Sequence, residues 1–165
     1  PDRENDGEIK RSGRLLIDTG GQFLEGTTDT TRTLILGDIT EEEAENYTLV
    51  LKGNIALASA VFPYKTRCCE LDALARNALW KKGLDYRCST GHGVGHVLGV
   101  HEGPVRISSM CNLVLEEGMT VTDEPGVYKE DCYGIRVENH LFVKEKNNLS
   151  IGNKFQFCFY KQCSP

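Results

Sequence analysis

The sequence predicts an α+β domain with helices packed on one face of an antiparallel sheet. Three observations predict it. Strand-like runs open and close the chain, two helical runs lie between them, and no repeat, low-complexity tract or internal linker divides the 165 residues.

"RLLID" (14–18) reads as a short buried strand, broken by Gly20 and Gly21. "DTTRTLIL" (29–36) is threonine-rich, suits a pleated surface, and is expected to form a hairpin with it. Thr40 and Glu43 then make a capping box, and Ala44, Tyr47, Leu51, Ile55 and Ala58 recur at helical spacing. A helix over about 41–60 is therefore expected, ended by "FPYKT". A second helix is expected over about 69–82, carried by Leu71, Leu74, Ala75, Ala78 and Leu79 and stopped by Gly83. The glycine-rich "CSTGHGVGHVLGVHEGP" (88–104) reads as a loop, after which "MTVTDEP" (119–125) and the alternating "GIRVENHLFV" (134–143) read as strands.

Composition bounds the function classes. With 39% hydrophobic and 26% charged residues the usage is that of an ordinary globular domain. The net charge is -5 and no Lys/Arg block exceeds a pair, so neither nucleic acid nor an anionic membrane is an expected partner. No apolar run approaches the ~18 residues of a membrane span, and the polar opening is not a signal peptide. Seven cysteines, two of them adjacent (Cys68 and Cys69) and none in a CxxC, argue for a reducing cytoplasm over a disulfide framework. The chain lacks an initiating Met and opens in a polar stretch, which points to a piece of something longer.

The residues that carry chemistry are acids and histidines. Asp18 and Asp29 sit on the two arms of the expected hairpin, where both side chains can reach one point. Glu124 precedes Pro125 at a strand end, and Glu138 is placed mid-strand with Arg136 and His140 on its face. Three of the four histidines, His92, His96 and His101, fall within ten positions. Taken singly, Asp18 fits a turn cap and Glu138 fits half of a surface ion pair with Arg136. Together, buried carboxylates repel, and a cation is the usual remedy. Four carboxylates and one imidazole are few ligands for one hard ion and a natural set for two.

"LIDTGGQFLEGTTDTTRT", "TGHGVGHVLGVHEGP", "TDEPGVY" and "GIRVENHLFV" occur in the order and at the spacings of the pita-bread (M24) metallopeptidases. The chain resembles the proline-cleaving aminopeptidase P group, most of all its soluble Xaa-Pro aminopeptidase branch. The similarity covers roughly residues 14–143, and "FQFCFYKQCSP" (155–165) resembles a degraded form of the next family strand. The resemblance implies a curved antiparallel sheet with helices on its outer face, of which these residues form the C-terminal, metal-bearing part. It implies one partial catalytic domain over 1–165 without the family's N-terminal domains, in a parent protein that dimerises.

It also implies a dinuclear site. Asp18 would chelate one ion, Asp29 and Glu138 would bridge both, and His92 and Glu124 would hold the second. The ungapped branch pattern T-G-H-G-V-G-x-x-L-x-V-H-E-G-P puts the metal histidine at His92 and a substrate-contacting, catalytic histidine at His101, leaving His96 a structural residue. A hydroxide held between the ions would attack the bond before proline, with Glu124 carrying the proton to the leaving nitrogen. Arg136 would stand behind the ligands and hold a carboxylate, with Asp18 the expected one. Cys88 occupies a place where many relatives carry a histidine. Mn²⁺ is the expected metal, with Zn²⁺ or Co²⁺ as other occupants, and the expected substrate is a peptide with proline in second position. A prolidase specific for Xaa-Pro dipeptides, and a non-catalytic pita-bread module binding peptides or proteins, are the alternatives.

Overall fold

A computed structural model describes residues 7–97, 99–145 and 154–159. The first strands, β1 (Arg14–Phe23) and β2 (Gly26–Ile35), form an antiparallel hairpin with Asp18 opposite Thr31 and Gly20 opposite Asp29. β1 thus runs straight through Gly20 and Gly21, where the sequence suggests a break. The ladder continues because both glycines keep an extended backbone and Gly21 donates its N–H to Thr28 Oγ1 at 3.0 Å.

Helix α1 (Glu41–Ala58) starts on the expected capping box: Thr40 Oγ1 accepts from Glu43 N–H, and Glu43 Oε2 accepts from Thr40 N–H at 2.7 Å. Its buried face differs from the one the apolar spacing suggests. Asn46, Val50, Gly53, Asn54 and Leu57 turn inward, while Leu51 and Ile55 are exposed at 38% and 53%. After a short β3 (Val61–Pro63), α2 (Cys68–Trp80) packs across α1. The crossing is close enough that a Cβ on Gly53 would overlap the Ala75 carbonyl.

The glycine-rich histidine segment is a loop only in part, with His96 in the connection between two strands. It folds as β4 (Gly91–Val94), followed by β5 (His101–Ile107). The glycines serve sheet packing: a Cβ on Gly91 would overlap the Thr122 carbonyl of the next strand, β6 (Thr120–Asp123). The stretch 134–143 is likewise two strands rather than one. β7 (Gly126–Lys129) pairs with β8 (Tyr133–Arg136), and β9 (Asn139–Glu145) belongs to another sheet, so Glu138 lies in the break between strands and not mid-strand.

β10 (Lys154–Phe159) completes a six-stranded antiparallel sheet in the order β3-β10-β9-β6-β4-β5. The last residues of the stretch 155–165 lie outside the described ones. Leu57, Leu71, Ile107, Leu115, Val121 and Leu141 fill the core between this sheet and the helices. A second cluster of Val50, Leu79, Val127, Ile135 and Val137 seats the β7–β8 hairpin against them. The α+β architecture with helices on one face of antiparallel strands is the one expected from sequence. No helix among the described residues is long and apolar enough to cross a membrane.

Candidate metal centre

Five acidic and imidazole side chains from four parts of the chain meet where the β1–β2 hairpin crosses the sheet. Because Gly20 faces Asp29 across the ladder, period-two alternation puts Asp18 and Asp29 on the same face of the hairpin. Ligand atoms of Asp18, Asp29 and Glu138 lie within 4.8 Å of one another, and so do those of His92, Glu124 and Glu138. Glu138 belongs to both triads. Asp29 closes the set from the other side, with Oδ2 3.3 Å from His92 Nε2.

Each group is aimed by its surroundings. His92 Nδ1 is 2.9 Å from the Gly93 carbonyl, a contact that needs the proton on Nδ1 and leaves Nε2 turned toward Asp29 and Glu124, each 3.3 Å away. Thr122 Oγ1 accepts from His92 N–H at 3.1 Å and donates to Glu124 Oε1 at 3.2 Å, tying two neighbouring strands together at the site. Glu124 N–H donates to the Thr90 carbonyl at 2.7 Å. His140 Nε2 accepts the Asp29 backbone N–H at 2.9 Å, an orienting contact that explains its place beside the hairpin.

Arg136 is the charged hub. Nη2 donates to Asp18 Oδ2 at 2.5 Å, Nε to Thr31 Oγ1 at 3.1 Å, and Nη1 to Tyr128 Oη at 3.0 Å, while Glu124 Oε2 stands 3.8 Å from Nε. Thr31 Oγ1 in turn donates to Glu138 Oε2 at 2.6 Å. Thr31 and Tyr128 are site residues that reading by residue type passes over. A signal for Thr31 exists in the sequence: it lies two positions after Asp29 on the same strand face.

The electrostatics report crowding. Burial first, and then the carboxylates around it, push Glu138 up to about 8 against the hydrogen bond from Thr31. Glu124 is pushed up to about 7 by burial, with Arg136 and Thr122 opposing and Asp29 and Asp18 adding to the rise. Asp29 is raised by burial and by Asp18, with His92 and His140 pulling it back. Glu138 is 1% exposed, and its Oε1 has no hydrogen-bond partner among the described residues. A buried oxygen of this kind, at the junction of two carboxylate-rich triads, fits divalent cations.

Three further residues singled out in the sequence lie around this cluster. His101 is exposed and presents a ring edge to His92, centroids 4.2 Å apart at 79°, and a ligand atom of it lies within 4.8 Å of those of Asp29 and His92. His96 is exposed beside the hairpin turn at Gly26 and joins none of the candidate metal triads among the described residues. Cys88 hydrogen-bonds Tyr128; burial, then Glu124, raise its thiol above the usual range. A cleft of about 1280 Å³, bordered by Cys88, His101, Pro104 and Glu124, opens onto the site. Cys68, Cys69, Cys88, Cys111 and Cys132 are all free thiols.

A model of metallopeptidase family M24 matches residues 1–145, and the chain belongs to that family. Among curated relatives it is 49% identical over 163 residues to the "Probable Xaa-Pro aminopeptidase P" of Tuber melanosporum and 51% identical over 158 residues to that of Fusarium vanettenii. These alignments cover 96% and 93% of the chain but only 26% of each relative, so the chain spans about a quarter of their length. Among solved structures, the X-prolyl aminopeptidase of Caenorhabditis elegans, described as a cytosolic enzyme with a di-nuclear active site, superposes with a TM-score of 0.89. It is 40% identical, over 96% of this chain and 26% of that one. The prolidase of Pyrococcus furiosus follows at 0.78 and 32% identity, over 93% and 43% of the two chains.

Proposed function

We propose that these residues form the metal-bearing part of a Xaa-Pro aminopeptidase, which hydrolyses the bond between an N-terminal residue and a following proline. The observation that carries the reading is the pair of triads, Asp18/Asp29/Glu138 and His92/Glu124/Glu138, sharing one buried carboxylate. It is supported by the likeness to the C. elegans X-prolyl aminopeptidase.

In this reading Asp18 would help hold one divalent ion, His92 and Glu124 would help hold a second, and Asp29 and Glu138 would serve both. Four carboxylates to one imidazole favour Mn²⁺, with Zn²⁺ and Co²⁺ as other occupants. When bound, two such ions lower the pKa of water enough to supply hydroxide near neutral pH and polarise the scissile carbonyl.

The chain's own groups do the rest. Glu124 has one oxygen toward His92 and the other toward Arg136, and carries the proton from the nucleophile to the leaving nitrogen. His101, exposed on the cleft wall and edge-on to His92, contacts the substrate. Arg136 holds Asp18 and, through Thr31, Glu138. The cleft has room for a peptide, and the free thiols suit a cytoplasmic setting. The parent protein is read as a homodimer, of which residues 1–165 form a single partial catalytic domain.

The test compares hydrolysis of Arg-Pro-Pro and Gly-Pro by the full-length protein with Mn²⁺. Release of arginine from the tripeptide is expected. Turnover of the dipeptide alone would instead make it a prolidase, in line with the P. furiosus likeness. Absence of bound Mn²⁺ together with turnover of neither peptide would make it a non-catalytic module binding peptides or proteins.

A further inference from the structure

Val137 and Glu138 lie between β8 and β9, so no strand ladder supplies partners for their backbone groups. Side chains and a hairpin carbonyl do so instead. Glu138 N–H donates to the Thr31 carbonyl at 3.1 Å, and its own carbonyl accepts from Arg32 Nη1. The Val137 carbonyl accepts from Asn54 Nδ2, on the inner face of α1, at 3.3 Å.

The same nitrogen donates to the Asp123 carbonyl at 2.9 Å. Asp123 immediately precedes Glu124. One side-chain amide therefore grips the two peptide planes from which Glu124 and Glu138 project, since a carbonyl at position i−1 is coplanar with the N and Cα of residue i. Asn54 Oδ1 accepts from Asn139 Nδ2 at 3.0 Å, and Asn139 Oδ1 accepts from Arg32 Nη2 at 3.0 Å, so the amide's orientation is fixed from both ends.

Asn54 is 2% exposed, and the inward residues about one turn before and after it, Val50 and Leu57, pack in apolar clusters. Packing alone would place an apolar residue there, because a buried amide is costly unless fully bonded. We propose that Asn54 is a positioning residue for the metal centre: it sets the separation of the Glu124 and Glu138 carboxylates, and with it the affinity for the ion they share. This rests on the metal-centre reading above.

The experiment is calorimetric titration of Mn²⁺ into metal-stripped full-length protein, with melting temperatures of the metal-free forms recorded alongside. Asn54→Ala removes both donated bonds and is expected to weaken binding by about 10–100-fold, as residues that orient metal ligands do. Asn54→Ser, whose hydroxyl can donate to one carbonyl, is expected to fall between it and the wild type, and decides the matter alone if the alanine variant does not fold. Leu57→Val, on the same helix and fully buried, is expected to lower the melting temperature while leaving the Mn²⁺ affinity unchanged. Wild-type affinity in every Asn54 variant that folds, or an equal loss in Leu57→Val, overturns the proposal while leaving the metal centre standing. Failure of the wild type itself to bind Mn²⁺ overturns both.

Discussion

Arg136 reaches from β8 to β1 and donates to Asp18 Oδ2 at 2.5 Å, the ion pair that fixes the hairpin's first carboxylate against the rest of the site. Three nitrogens of one planar guanidinium are used at once, toward Asp18, Thr31 and Tyr128. A lysine keeps the charge but offers no such fork. Arg136→Lys is therefore expected to lower Mn²⁺ affinity by about 10–100-fold while the protein stays folded. Calorimetric titration beside a circular-dichroism melt checks both halves.

His92 and His96 are four positions apart in one glycine-rich segment but have different fates. The first turns Nε2 into the carboxylates; the second lies by the hairpin turn at Gly26. His92→Ala is expected to cost more metal affinity than the ~10–100-fold typical of residues behind the ligands. His96→Ala is expected to retain the wild-type metal content. Elemental analysis after dialysis against dilute Mn²⁺ separates them, and metal loss in the His96 variant would reverse the assignment.

The raised carboxylates set a pH dependence for the metal-free protein. Glu138 holds its proton up to about 8 and Glu124 to about 7 when folded, whereas both release it near 4.5 when unfolded. Within that window the native state binds more protons, so stability falls as pH rises. Buried His140 has a lowered pKa and contributes the opposite slope near and below its ordinary value of 6.5. Between pH 7 and 8 the carboxylates dominate. The melting temperature of the metal-free form is expected to drop across that interval, and Mn²⁺ binding at pH 7 is expected to release protons, visible as a buffer-dependent enthalpy.

Gly53 sits inside α1, where Gly→Ala ordinarily stabilises a helix by about 1 kcal/mol. Here the added Cβ would overlap the Ala75 carbonyl of α2. Overpacking of that kind costs about 1–3 kcal/mol, more than the propensity gain. Gly53→Ala is therefore expected to lower the urea midpoint rather than raise it.

What is legible in the sequence is local. The Thr40–Glu43 box is complete within four residues, and the Asp18–Asp29 convergence follows from alternation along one hairpin. Apolar spacing misplaces the inner face of α1 because it reports apolar burial alone. Asn46, Gly53 and Asn54 face inward for hydrogen bonding and close approach, while Leu51 and Ile55 face out. The clean alternation of residues 134–143 likewise puts Glu138 in mid-strand. The break comes from Asn54, Arg32 and Thr31, all about 80 to 110 positions away in sequence, which no local pattern encodes. Gly91 and Gly93 signal a loop, whereas what they allow is close contact with carbonyls of neighbouring strands.

The most direct measurement of the central claim is anomalous scattering from crystals of the full-length protein grown with Mn²⁺. Two peaks are predicted, one bounded by Asp18, Asp29 and Glu138 and the other by Asp29, His92, Glu124 and Glu138. A single peak, or peaks that Glu138 does not touch, would contradict it.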